Sequence, residues 1–236
     1  MDINLKSFSI SSFEEAIYKK EKKCILYCDF NVANIIYEQN IEIPPNFTLY
    51  PDSSLMHFTL KLFYGTKIDK SISTDIQDQV LNLINKNKLK LYLFGDKEEI
   101  LAIIKKNLLI IYHNISIVGY HSGYSYNSLE VIDDIKNTNP DILLVGLGAG
   151  RQENWLINNY TYLPSIIILS VGGYFQFLSK VKKRAPLYFR RINLEWLYRV
   201  ITEFNSVWKK YSIFVIKFIY RILTNKINFT FSTDDK

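Results

Sequence analysis

From the N-terminus the chain alternates short apolar runs with polar connectors: CILYCDF from Cys24, NVANIIYE from Asn31 and FTLY from Phe47. From Ser71 the spacing changes, and SISTDIQDQVLNLINKNK puts apolar residues three and four apart, the period of an amphipathic helix. KLYLFGD then predicts a strand stopping at Gly95, and KEEILAIIKKNL a helix. NISIVGYHSGY and SLEVIDDIKNTNP repeat that order, DILLVGLG begins it again, and PSIIILSVGGYF gives one more strand ending at Gly172 and Gly173. Repeated strand, glycine turn and helix predict an α/β fold. The sheet is expected to be Rossmann-like and mostly parallel, with helices on both faces and ligands in the crevice beyond the carboxyl ends of its strands.

After Lys180 the texture changes: glycine is absent and no proline follows Pro186. LEWLYRVITEF and SVWKKYSIFVIKFIYRILTNK read as two helices. In the second, Lys210, Lys217 and Arg221 form a narrow basic stripe, and apolar residues such as Ile213, Ile216, Phe218, Ile219, Ile222 and Leu223 cover the rest. This helix is too short and interrupted to span a bilayer, which needs about 20 predominantly apolar residues. Its wide apolar face with cationic edges predicts a helix lying in the lipid interface. The alternatives are a tail helix buried against the core or a second copy of the chain, and the β-branched content also permits a strand.

The 236 residues, 48% of them hydrophobic, suffice for one substantial core with an extension. The net charge of +6 is unevenly spread. From Lys180 onward 13 Lys and Arg face 4 Asp and Glu, whereas residues 1 to 179 hold 16 against 19. Nucleic acid is not expected as a partner, because the basic tail is too apolar for a phosphate-tracking surface. The opening MDINLKSFSISSFEEAIYKK lacks the apolar core of a signal peptide and reads as an amphipathic start, so a cytoplasmic location is expected. Cys24 and Cys28 sit in an alternating apolar run and read as buried core, and His57, His113 and His121 are too scattered for a zinc site.

The densest chemistry lies in DILLVGLGAGRQENW, Asp141 to Trp155, where Gly146, Gly148 and Gly150 let the backbone approach a phosphate or sugar and Gln152 and Glu153 open a helix. With VGGYFQFLSKVKKRAP, LEWLYR and KKY following in order, the chain resembles the WecG/TagA/CpsF family of bacterial glycosyltransferases. The likeness continues upstream through GYHSGY, LFGD and the Pro51-Asp52 pair.

The resemblance implies an inverting, metal-independent transfer of a hexose or N-acetylhexosamine relative from a UDP-sugar to a polyprenyl-diphosphate-linked sugar, with no cofactor, for surface polysaccharide synthesis. No DxD motif is present to hold a metal under a nucleotide. Asp52, after a strand, matches the proposed base, although an aspartate after proline is also a common turn residue. Donor-binding candidates are Asn31, Lys70, Gly95, Gly119, Tyr124, Gly148, Arg151, Gln152 and Glu153. The Gln152 amide both donates to and accepts from hydroxyls, Glu153 caps or anchors its helix, and Tyr124 stacks on uracil or packs in the core. Arg184, Arg199 and Lys209 match family cations expected at the diphosphate. The expected organisation is a glycosyltransferase core over 1–180 and an appendage over 181–236 that folds over the site and meets the inner face of the membrane, with a homo-oligomer possible. The chain departs from the family at Asp29 (a threonine there), Ser53 (glycine), Lys70 and Ser206 (arginines) and Ser73 (glycine). The changes at Ser53, Lys70 and Ser206 motivate a second reading, a catalytically weakened relative serving as a binding or scaffolding subunit.

Overall fold

The computed structural model describes residues 1–66, 73–192 and 194–232. The elements run β1 (Asp2–Lys6), α1 (Ile10–Lys19), β2 (Lys23–Cys28), α2 (Phe30–Glu38), β3 (Phe47–Pro51), α3 (Ser54–Tyr64) and α4 (Ser73–Lys86). Then follow β4 (Lys90–Gly95), α5 (Glu98–Ile111), β5 (Ser116–His121), α6 (Ser128–Thr138), β6 (Ile142–Gly146), α7 (Arg151–Asn159) and β7 (Ile167–Ser170). The chain ends with α8 (Tyr174–Leu178), α9 (Leu187–Arg191), α10 (Glu195–Thr202), α11 (Phe204–Lys209), a π-helical turn (Lys210–Phe214), α12 (Val215–Leu223) and β8 (Asn228–Ser232).

Six strands form one sheet in the order β3-β2-β7-β6-β4-β5, every neighbouring pair parallel, as the glycine-punctuated pattern predicts. Successive strand residues point to opposite faces, and each face carries its own core. On β2, Cys24, Leu26 and Cys28 join one cluster with residues of α2, α6, α7 and α12, while Ile25 and Tyr27 join the other with α1, α4 and α5. Both cysteines are free and fully buried.

The opening twenty residues, read as an amphipathic start, hold helix α1 and before it β1, which pairs in parallel with β8 from Asp2 opposite Asn228 to Lys6 opposite Ser232. Its partner lies at the other end of the chain, so no local pattern reveals it. The C-terminal run therefore returns across the core. α12 buries Phe218 and Ile222, and the Phe218 ring lies 6.5 Å from Phe30 of α2. Full burial of each such side chain contributes about 1.5–3 kcal/mol.

Candidate active site

A cavity of about 300 Å³ opens at the carboxyl ends of β3, β2, β7 and β6. Its floor is made by Asp52, Asp29, Gly172 and Gly148, each in the stretch that follows one of those strands, and Gln152 of α7 stands beside them. Glu195, Trp196 and Arg199 of α10, with Lys210 and Tyr211 of the π-helical turn, close it from the C-terminal segment. The sheet thus supplies carboxylates and backbone, and the C-terminal segment supplies cations and aromatics.

Asp52 accepts the Ser73 N–H at 2.9 Å, and its own N–H donates to the Cys28 carbonyl at 2.9 Å. Burial pushes its carboxyl above the ordinary aspartate range, although the Ser73 N–H and the Lys210 charge pull the other way. The carboxylate so placed lines the cavity. Ser53 follows it at φ 73°, ψ 146°, a conformation that favours glycine, and its Oγ accepts the Met56 N–H at 3.3 Å to cap α3.

Asp29 caps α2. Its Oδ1 accepts the N–H groups of Asn31 and Val32 at 2.9 Å each, and Lys210 Nζ lies 2.6 Å from its Oδ2. Burial alone would raise the Asp29 carboxyl, but the Lys210 charge and the three hydrogen bonds outweigh it and hold it below the usual range.

Glu153 is fully buried at the start of α7. Its two oxygens accept the Gly150 N–H at 2.6 Å and the Gln152 Nε2 at 2.8 Å, while Gln152 Oε1 accepts the Gly172 N–H at 3.2 Å. The pair therefore divides its work: Glu153 holds Gln152, and Gln152 ties α7 to the turn after β7. Desolvation raises the Glu153 carboxyl, offset in part by these donors.

The other expected residues lie around this centre. Gly148 and Arg199 line the cavity. Gly95, at φ 139°, presses on Gly146, where an added Cβ would stand 2.4 Å from backbone atoms. Gly119 lies within β5, close against the Tyr92 ring. Arg151 stacks 5.8 Å from the ring of exposed Tyr124, outside the cavity wall, and the Asn31 side chain is also outside it. Arg184 is spent on docking: it pairs with Asp75 at 2.7 Å and Asp78 at 2.9 Å and donates to Thr74 at 2.7 Å, all on α4. Lys209 sits 5.6 Å over the Trp208 ring, exposed, while its neighbour Lys210 enters the cavity. Lys70 and the Ser206 side chain lie outside the described residues.

Sequence reasoning missed Asp29, Lys210, Glu195 and Tyr211 as cavity residues. Glu195 is pushed up by burial and opposed by Arg184 and Arg199. Its place inside LEWLYR, four residues before Arg199, was the available signal, because that spacing puts two side chains on one helix face.

The model of the glycosyl transferase WecG/TagA/CpsF family matches residues 7–231. The chain belongs to this family. Among its relatives is an N-acetylglucosaminyldiphosphoundecaprenol N-acetyl-beta-D-mannosaminyltransferase of Staphylococcus aureus, 30% identical over 152 residues, 64% of this chain and 59% of that protein. The protein of the same name from Bacillus subtilis is 35% identical over 150 residues, 61% of this chain and 58% of its own length. The matched region thus spans less than two thirds of these relatives.

Proposed function

We propose that the chain is a glycosyltransferase that moves an N-acetylhexosamine relative or a hexose from a UDP-sugar to a sugar carried on a polyprenyl diphosphate. The observation that carries this reading is the meeting of a half-buried Asp52, its carboxyl raised by desolvation, with Arg199 in one cavity at the strand ends of a family fold. In an inverting displacement the acceptor oxygen bonds to the anomeric carbon as its proton passes to Asp52. The bond to the diphosphate oxygen breaks, and the leaving UDP keeps its electron pair. Arg199 meets the charge that develops there, the term that preorganised cations supply best in a water-poor site. Gln152, clamped by Glu153, orients the donor sugar, and Tyr124 with Arg151 offers a stacking surface for the base.

The transfer as proposed needs no metal, since guanidinium and backbone N–H groups carry the diphosphate charge. Relatives named for a diphosphoundecaprenol acceptor support the acceptor class. A lipid-bound acceptor is met at the inner membrane face, and the C-terminal segment over 181–232 offers the surface for it: Ile213, Ile216, Tyr220 and Leu223 are exposed at helical spacing. No helix among the described residues is long and apolar enough to cross a membrane.

The test is purified protein with a panel of UDP-sugars, UDP-N-acetylmannosamine included, and a lipid-diphosphate-linked N-acetylglucosamine analogue, with and without excess chelator. Transfer that survives chelator and inverts the anomeric centre is the expected result. Nucleotide binding without transfer to any acceptor would favour the scaffolding reading.

A further inference from the structure

Asp29 and Asp52 stand at the carboxyl ends of adjacent strands, β2 and β3, where Cys28 lies opposite Pro51, and both line the cavity. Asp29 is fixed from two sides, with Oδ1 taken by the first N–H groups of α2 and Oδ2 by Lys210. Neither oxygen is left to turn toward a substrate. Lys210 belongs to the π-helical turn, a helix irregularity that recurs at functional sites because it re-aims side chains. Its charge reaches both carboxylates, favouring the ionised form of Asp52 while Asp29 disfavours it. A threonine in place of Asp29, the family's usual residue, would still cap the helix with its hydroxyl. It would leave Lys210 with no fixed counter-charge.

We propose that Asp29 is a positioning residue for proton transfer: by holding Lys210 in a fixed ion pair it keeps that cation from weakening Asp52 as a base, and so preserves the strength with which Asp52 takes up a proton. The same bond couples this setting to docking of the C-terminal segment, because Lys210 reaches Asp29 only when the π-helical turn lies over α2. The inference rests on Asp52 being the base that takes the acceptor hydroxyl proton. The other groups that face Asp52 are Tyr27 and Cys28 of β2, the Ser73 N–H of α4 and Tyr211 of the π-helical turn, with Arg199 and Glu195 across the cavity. Tyr27 and Cys28 are buried and held neutral, their ionisation pushed well up. Asp29 and Lys210 are therefore the charges whose removal tests the idea most directly.

The experiment is the pH profile of kcat/KM for transfer from UDP-N-acetylmannosamine to the lipid-diphosphate N-acetylglucosamine analogue, in Asp29→Asn, Asp29→Thr and Lys210→Met. Removing Asp29's charge frees Lys210 to favour ionised Asp52, so the acid limb moves down by about one pH unit and the plateau falls, since a weaker base takes the proton. Lys210→Met moves the limb the other way. A role confined to folding would lower the rate without opposite shifts, so limbs that stay in place or move together overturn the proposal. UDP binding and circular dichroism confirm the fold; Asp29→Thr keeps a capping oxygen, and Lys210→Met leaves the cap intact and decides the matter if neither Asp29 variant folds. Wild-type turnover in Asp52→Asn would instead remove the base assignment itself, whereas an inactive Asp52→Asn with unmoved limbs in the Asp29 and Lys210 variants defeats only the role of Asp29.

Discussion

Arg221 of α12 donates to the buried Asn34 amide oxygen at 2.6 Å, and the same guanidinium reaches Glu38 at 2.6 Å. Lys217 lies 3.3 Å from Glu38, and Lys210 pairs with Asp29. The basic stripe of the C-terminal run therefore pairs with α2, although Lys217 keeps about half of its side chain in solvent. Arg221→Met leaves the Asn34 oxygen buried without that donor, a cost of about 1–3 kcal/mol. Thermal unfolding should fall by about 2–4 °C per kcal/mol for a chain of this size. Glu38→Gln should cost less, because that ion pair is partly exposed and water competes for it. Equal losses in the two variants would mean that the surface pair, not the buried amide, carries the docking.

Asp52→Asn should keep the fold and UDP binding while turnover drops by about 10²–10⁴, the usual range for loss of a general base. Because burial raises the Asp52 carboxyl, the wild-type rate should fall as pH drops through a value above the ordinary aspartate range, the deprotonated form being the active one. Steady-state rates over pH check both statements. A variant that retains the acid limb would assign it to another group.

β4, β6 and β7 were readable because each carries an apolar run closed by glycine, and Gly95 and Gly146 prove to be the points where two strand tips touch. Asp52, Gln152 and Arg199 were legible through motif order. Asp29 was visible only as a substitution, because its role depends on a lysine that approaches through tertiary packing. Lys209 and Lys210 differ by about 100° around a helix, so assigning the cavity cation needed the phase of the π-helical turn, which local periodicity does not encode. Arg184 matches a family arginine, yet Asp75 and Asp78 on α4 claim it, a pairing set by the fold. β1 pairing with β8 was hidden for the same reason.

Ser53→Gly should stabilise the chain. Ser53 holds φ 73°, ψ 146°, and strain of about 1–3 kcal/mol is typical of non-glycine residues in such regions. The lost hydroxyl cap on Met56 N–H subtracts only a few tenths of a kcal/mol when glycine replaces serine. Chemical denaturation should show a higher midpoint with unchanged slope. A lower midpoint would mean that the cap outweighs the backbone relief.

Glu153→Gln is nearly isosteric but should be severe. Both Glu153 oxygens accept from donors, Gly150 N–H and Gln152 Nε2, and a glutamine offers one oxygen and one NH₂. One donor is then left facing another in a fully buried place, costing about 1–3 kcal/mol. Freed from its clamp, Gln152 should lose its place beside Gly172, so KM for the UDP-sugar should rise along with the loss of stability. A stable variant with normal KM would show that Gln152 needs no support.

Membrane contact is expected from the outer face of the C-terminal run, where apolar side chains stand exposed, while Lys210 and Arg221 are turned toward α2. Ile216, Tyr220 and Leu223 are 68%, 55% and 64% exposed, and Ile213 continues the line one turn earlier. Ile201 and Phe204, exposed just upstream, extend the apolar surface. Such a face buried at the headgroup boundary binds mainly by apolar area, so raised salt should weaken sedimentation with anionic vesicles only in part. Ile216→Asp with Leu223→Asp should abolish sedimentation. Because neither side chain belongs to the buried core, the double variant should unfold near the wild-type temperature and keep its turnover on a short-chain, water-soluble acceptor, while losing turnover on acceptor embedded in vesicles. Binding to vesicles that persists in this variant would move the membrane contact elsewhere on the chain.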